Sequence, residues 1–111
     1  MDFKMSFKEF RMAYSIYVDP DLADYIPTFV DHRKKELLEA EKSLASKDFD
    51  ALKSLGHTLK GCCASYGFVE LGDLGKRLED LALNNKSEEI SSLLSDMKWL
   101  LEHFEVIHHS E

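Results

Sequence analysis

A histidine, a lysine and a glycine within five residues are the part of this sequence best suited to chemistry. They occur in the stretch His57-Thr58-Leu59-Lys60-Gly61. In a helix these three residues share one face, because residues at i, i+3 and i+4 are surface neighbours. The imidazole of His57 is a potential nucleophile, and the ammonium group of Lys60 can offset negative charge. Gly61 places no side chain beside them.

The apolar residues of the same helix predict that His57 faces solvent. At about 100° per residue they form one stripe on the opposite side, and this stripe consists of Phe49, Leu52, Leu55, Leu59, Cys63 and Tyr66. Helical side chains lean toward the N-terminus, so Lys60 leans toward His57 and a side chain at position 61 would cover the imidazole. Glycine inside a helix costs about 1 kcal/mol relative to alanine. Two causes could explain a glycine at position 61: open access to His57, or close packing of a neighbouring helix. We favour open access.

This pattern resembles the signature of histidine-containing phosphotransfer (Hpt) domains of two-component phosphorelays. The likeness rests on the stretch from His57 to Gly61, on Ser65-Tyr66-Gly67 and on Leu78-Glu79. It extends over most of the chain, from about Asp19 to the C-terminal helix. The resemblance implies that the chain accepts a phosphoryl group on His57 from the aspartyl phosphate of a receiver domain and passes it to another receiver domain.

Expected roles for the site residues follow from this interpretation. His57 is the phosphoacceptor, Lys60 stabilises the charge of the phosphoryl group, and Gly61 provides steric access. Residues expected to dock the partner are Lys53, Ala64, Phe68, Gly72, Gly75, Lys76 and Glu79. The two glycines should leave a bare flank on the third helix, and Phe68 should offer an apolar contact. Either Glu79 or Lys76 is expected to orient the ring or to fix the register of the partner.

The sequence lacks the motifs of a kinase. It has no P-loop, no glycine-rich nucleotide lid and no paired-acid metal site on a helix. We therefore expect a phosphocarrier without autokinase activity and without a cofactor of its own. Because phosphoryl transfer needs electrostatic stabilisation of the moving group, Mg²⁺ and an acidic pocket are expected from the partner. The resemblance makes that partner a receiver domain of a response regulator or of a hybrid sensor kinase.

Composition excludes several other functions. The 111 residues suffice for one domain, and we expect a monomer. The formal net charge of -7 argues against nucleic-acid binding, which depends on lysine and arginine neutralising phosphates. No apolar run approaches a membrane span, and the N-terminus lacks the apolar core of a signal peptide. Cytoplasmic residence is therefore expected.

An all-α architecture, an antiparallel up-down four-helix bundle, is predicted to position the site. The predicted helices follow a short turn over 20–25 and span about 27–46, 48–66, 68–84 and 87 onward. Asp48 and Ser87 are the predicted N-caps, and Gly67 is the predicted stop of the second helix.

The two ends of the chain are harder to interpret. Residues 1–18 are assigned to the same domain as the bundle of residues 19–111, as an arm or a short helix. Their aromatic residues recur at helical spacing, but Phe10, Met12, Tyr14, Ile16 and Val18 also alternate as in a strand. The tail from Val106 to Glu111 is expected to fray.

Two further functions remain open from the residues alone. One is a helical protein–protein interaction module that is never phosphorylated, in which His57 is an ordinary surface residue. The other is a bundle that binds metal or haem, suggested by five histidines; metal sites in bundles, however, use residues that project into the core. The adjacent Cys62 and Cys63 form no CxxC motif. No orienting group for a thiol nucleophile is evident, so we interpret both cysteines as small half-buried hydrophobic residues.

Overall fold

A computed structural model describes residues 14–18 and 20–108. Within these residues the fold consists of four α-helices and two short strands. The helices are α1 (Ile26–Ala45), α2 (Phe49–Cys62), α3 (Val69–Leu83) and α4 (Ser87–Glu102), and the strands are β1 (Tyr14–Val18) and β2 (Phe104–His108). Two 3₁₀ segments, Pro20–Tyr25 and Cys63–Tyr66, precede α1 and follow α2. The predicted all-α four-helix bundle is confirmed.

The helices form a closed ring around one core. Each helix packs against its neighbour in sequence, and α1 also packs against α4. Leucines of α2, α3 and α4 lie in this core, and those with at most 1% exposure include Leu52, Leu59, Leu71, Leu78 and Leu101. Burial of a leucine side chain contributes about 1.5–3 kcal/mol. The apolar stripes therefore fix which face of each helix is left for the solvent.

The structure confirms one of the two predicted N-caps and contradicts the other. The side chain of Asp48 caps α2, because its Oδ1 accepts a hydrogen bond from the backbone N–H of Ala51 at 3.1 Å. The predicted cap at Ser87 is wrong: Ser87 is the first residue of α4, and Lys86 occupies the N-cap position without a side-chain cap. The second helix tightens into the 3₁₀ segment after Cys62 before it stops at Gly67, where φ is +88°.

The two segments that flank the helical bundle pair with each other as strands. The sequence did not predict this pairing. Strands β1 and β2 run parallel, with Ile16 opposite Val106. Ile16 and Val18 are buried while Tyr17 is exposed, so the alternating pattern, rather than the helical one, describes this segment. The expectation that the tail frays from Val106 onward is wrong for residues 106–108. Residues 1–13 and 109–111 lie outside the described part of the chain, and the division at residues 18 and 19 stays a prediction.

Candidate functional site

His57 lies in the middle of α2 on the face that points away from the core. Its side chain is 69% exposed, whereas Leu52 and Leu59 on the opposite face are buried. Gly61 is exposed one turn later, and apart from its chain neighbours and the local helix backbone no described atom lies within 4 Å of the position that a Cβ would take there. The space beside the imidazole is therefore open, as expected from the i, i+4 spacing.

A carboxylate from α3 contacts both polar residues of this face. Oε2 of Glu79 lies 3.3 Å from Nδ1 of His57, and Oε1 of Glu79 lies 3.4 Å from Nζ of Lys60. Glu79 is only 18% exposed, and Lys60 is 43% exposed. Because the carboxylate faces Nδ1, it favours the tautomer that carries its proton on Nδ1 and leaves the lone pair on Nε2.

Two glycines bring α2 and α3 close enough for this contact. A Cβ on Gly56 would lie 2.5 Å from the carbonyl oxygen of Gly75 and 2.6 Å from the amide nitrogen of Glu79. A Cβ on Gly75 would lie 2.6 Å from Cβ of Leu59. Side chains at either position would force the helices apart. The position of Glu79 beside His57 thus depends on a close backbone approach one residue before the histidine.

Several residues expected to dock a partner lie elsewhere. Gly72 and Gly75 are buried against α2, so the expected bare flank is wrong: the neighbouring helix occupies it. Phe68 is also wrong as a surface contact, because it is 0% exposed and stacks on Phe29 in the core. The register explains these errors, since α3 turns its small residues toward α2 and the helix junction turns Phe68 inward.

The remaining docking candidates are compatible with a surface role. Lys53 is exposed one turn before His57, and Lys76 is exposed on α3, where its Nζ lies 3.4 Å from Oδ2 of Asp80. Of these two candidates for orienting the ring, Glu79 is the one whose carboxylate lies 3.3 Å from Nδ1 of His57. The side chain of Ala64 lies outside the described part of the structure. The docking roles themselves stay predictions.

Sequence reasoning missed a buried glycine beneath this face and two exposed apolar residues of α3. Gly56 was visible as a second mid-helix glycine, but only the packing of α3 shows why a side chain is excluded there. Val69 and Leu83 are 54% and 59% exposed. They lie on the same side of α3 as Lys76, because residues seven apart in a helix are nearly aligned. The sequence analysis assigned neither residue to the docking surface.

The cysteines do not belong to this face. Cys63 is buried, and burial together with the neighbouring Cys62 raises the pKa of its thiol. Sγ of Cys62 accepts a hydrogen bond from Nη1 of Arg33 at 3.2 Å. Arg33 in turn binds Glu36 through Nε at 2.6 Å. The thiols therefore serve the contact between α1 and α2 rather than a nucleophilic site with His57.

Comparison with known proteins decides the family of this chain. The family model described as "Hpt domain" matches residues 24–107. This range covers the four helices of the bundle together with His57, Lys60 and Glu79. The chain belongs to the Hpt family. No individual curated protein and no solved structure gives a significant match.

Membership in the Hpt family places the chain in two-component phosphorelay signalling. Hpt domains are phosphocarriers rather than enzymes, and they interact with receiver domains. Within the described residues, no helix is long and apolar enough to cross a bilayer. The same residues contain no group of three or more histidine, cysteine or acidic side chains arranged to hold a metal ion.

Proposed function

We propose that this Hpt domain accepts a phosphoryl group on Nε2 of His57 from the aspartyl phosphate of one receiver domain and donates it to another. The observation that carries this proposal is the contact between Nδ1 of His57 and Glu79 at 3.3 Å on an otherwise open face. A carboxylate at Nδ1 leaves Nε2 as the nucleophilic nitrogen. Lack of autokinase activity belongs to the same proposal, since the phosphoryl group comes from the partner.

The transfer requires no metal ligand from this chain. Nε2 of His57 attacks the phosphorus of the aspartyl phosphate, the bond between phosphorus and the aspartate oxygen breaks, and the aspartate carboxylate leaves with the electron pair. Developing charge on the phosphoryl oxygens needs stabilisation. We expect a Mg²⁺ ion bound by the receiver domain to supply part of it, and Lys60 to supply the rest from this side.

Lys60 can pair with the Glu79 carboxylate before transfer and with the phosphoryl group after it. Its Nζ lies 3.4 Å from Oε1 of Glu79 in the unphosphorylated protein, and its side chain is 43% exposed. Because Lys60 follows His57 by one helical turn, its ammonium group can reach a phosphoryl group on the ring. The phosphorylated form would thus be stabilised without any movement of the backbone.

Replacement of this lysine should slow the transfer. We expect Lys60→Ala to reduce the transfer rate or the phosphohistidine lifetime about tenfold, which equals about 1.4 kcal/mol, near the low end for a hydrogen bond to a charged group. Time courses with wild-type and variant protein at equal receiver phosphorylation measure both quantities. Lys53→Ala is the control with the same change of charge one turn before His57, and it should have a smaller effect. Equal time courses for Lys60→Ala and wild type would remove the proposed role.

A docking surface for the receiver domain can be defined around His57. It consists of His57, Lys53, Lys60 and Gly61 of α2, with Val69, Lys76, Glu79 and Leu83 of α3. Val69 and Leu83 are about 21 Å apart along the helix. A standard interface buries about 800 Å² on each partner, a patch about 30 Å across, so one receiver domain can contact both. The lysines suit the acidic pocket expected of a receiver domain.

Gly61 should show opposite effects on stability and transfer. We expect Gly61→Gln to melt higher than wild type, because the position is open and glutamine favours a helix over glycine by up to about 1 kcal/mol. The new side chain leans toward His57 and enters the space of the incoming aspartyl phosphate. Misplacement by about 1 Å costs about a hundredfold in rate. A thermal melt and an initial transfer rate test this, with Gly61→Ala intermediate; an unchanged rate would contradict it.

The direct test of the proposal is intact mass after incubation with a phosphorylated receiver domain. We expect one added phosphoryl group, labile in acid and stable in alkali as a phosphohistidine is. The same protein should then lose the group to a second, unphosphorylated receiver domain. A chain that binds the receiver domain but never gains the mass would instead be an interaction module.

A further inference from the structure

We propose that Glu79 keeps the proton on Nδ1 of His57 while the ring carries the phosphoryl group, so that donation of that group needs no proton uptake. This inference rests on the proposed function. It concerns the outward step, in which the phosphorylated domain is the donor. It makes Glu79 a positioning residue for a proton rather than a residue that touches the phosphorus.

The proton on Nδ1 determines how good a leaving group the ring is when the N–P bond breaks. When Nε2 of a neutral ring attacks phosphorus, the product holds the phosphoryl group on Nε2 and still holds the proton on Nδ1, so the ring is formally cationic. In the outward step the N–P bond breaks, the electron pair returns to Nε2, and a neutral imidazole leaves. If Nδ1 has lost its proton first, the leaving group is an imidazolate anion, which is far more basic and leaves far more slowly.

The geometry favours retention of that proton. The carboxylate of Glu79 lies 3.3 Å from Nδ1 and is 18% exposed. A nearby negative charge stabilises a cationic ring, and the stabilisation grows as water is excluded. The distance lies just beyond the usual hydrogen-bond range of about 2.7–3.2 Å. Contacts of catalytic groups are often long before the substrate is bound and shorten afterwards.

Two features place the carboxylate beside the ring. Before transfer, Lys60 contacts its other oxygen at 3.4 Å. The backbone of Glu79 lies against α2 at Gly56, where a Cβ would be 2.6 Å from the Glu79 amide nitrogen. The backbone of Glu79 therefore cannot move away from the ring without separation of the two helices.

The other charges near the ring do not cancel this effect. Lys60 opposes a cationic ring, but it is paired with Glu79 before transfer and is placed to pair with the phosphoryl group afterwards. Lys53 is exposed to solvent one turn away. On α3, the charge of Lys76 is offset by Asp80 at 3.4 Å. Among these side chains, Glu79 is the one whose charge lies in contact with Nδ1.

The test compares outward transfer by Glu79→Gln and by wild type from about pH 6.5 to about pH 8.5. The variant keeps the size and an acceptor oxygen but loses the charge. Each protein is phosphorylated, and the rate of donation to one receiver domain is measured. The ratio of variant to wild-type rate at each pH cancels the pH dependence of the receiver. We expect this ratio to fall about tenfold for each pH unit above the point at which the variant's phosphorylated ring loses its proton.

Asp80→Asn is the matched control, because it removes one carboxylate from the next position of α3 but not from His57. Its ratio to wild type should stay constant over the pH range.

The outcomes separate this inference from the proposed function. If wild-type protein never gains a phosphoryl group on His57, the proposed function is wrong. If it does, and the outward ratio for Glu79→Gln does not vary with pH, the proton-holding role alone is overturned. Nitrogen NMR of the phosphorylated wild-type protein gives a second reading that does not depend on a variant. At about pH 8 it should show Nδ1 protonated, and a deprotonated Nδ1 would also overturn the inference.

Discussion

Substitution of His57 by glutamine should abolish phosphoryl acceptance and leave the fold intact. The imidazole is the only part of the site that can form the N–P bond in the proposed mechanism, and glutamine has no comparable nucleophile. Because the side chain is 69% exposed, the free energy of unfolding should change by no more than about 0.5 kcal/mol. Intact mass after incubation with a phosphorylated receiver domain and a thermal melt of the same sample measure the two effects.

His32→Gln is the appropriate control. His32 is also exposed and helical, but it lies on α1, so its substitution should leave phosphorylation unchanged. If the His57 variant still gains a phosphoryl group, the acceptor is another residue, and His103 is the next histidine to replace. If the His57 variant unfolds, the interpretation of His57 as an exposed functional residue fails.

Substitution of Gly56 by valine should destabilise the protein by about 3 kcal/mol, at the upper end for an overpacked site. The new Cβ would lie 2.5 Å from the carbonyl oxygen of Gly75 and 2.6 Å from the amide nitrogen of Glu79. Both are backbone atoms, so no side-chain rotation relieves the overlap and α2 must move away from α3. The separation should also remove Glu79 from His57. Urea unfolding measures the first effect, and the transfer rate of the folded fraction measures the second.

Gly61→Val makes the same chemical change five residues later in the same helix. Since a Cβ at Gly61 meets no described atom within 4 Å, this variant should be as stable as wild type or slightly more so, because valine favours a helix more than glycine does. The contrast isolates the helix contact from the general effect of valine. Equal stability of the Gly56 variant and wild type would contradict the close packing of α2 on α3.

The sequence by itself determined the helical bundle and the exposure of His57. Leucines at helical spacing must turn toward a common core to leave water, and this burial defines the opposite face of each helix. His57 and Gly61 stand on such a face, and their exposure follows from the position of Leu52 and Leu59. The cap at Asp48 was also predictable, because its side chain accepts a hydrogen bond from a backbone amide only three residues away.

Only the tertiary structure decided which helix covers which glycine. Gly56, Gly61, Gly72 and Gly75 are alike in sequence, each a missing side chain inside a helix. Yet Gly61 is open, whereas the other three are buried where α2 meets α3. The parallel pairing of β1 with β2 was also decided by the tertiary structure, because it joins segments that are about 90 residues apart in sequence. Such contacts depend on the register between distant elements, and periodicity within one helix carries no information about that register. The placement of Glu79 beside His57 is therefore a property of the folded bundle.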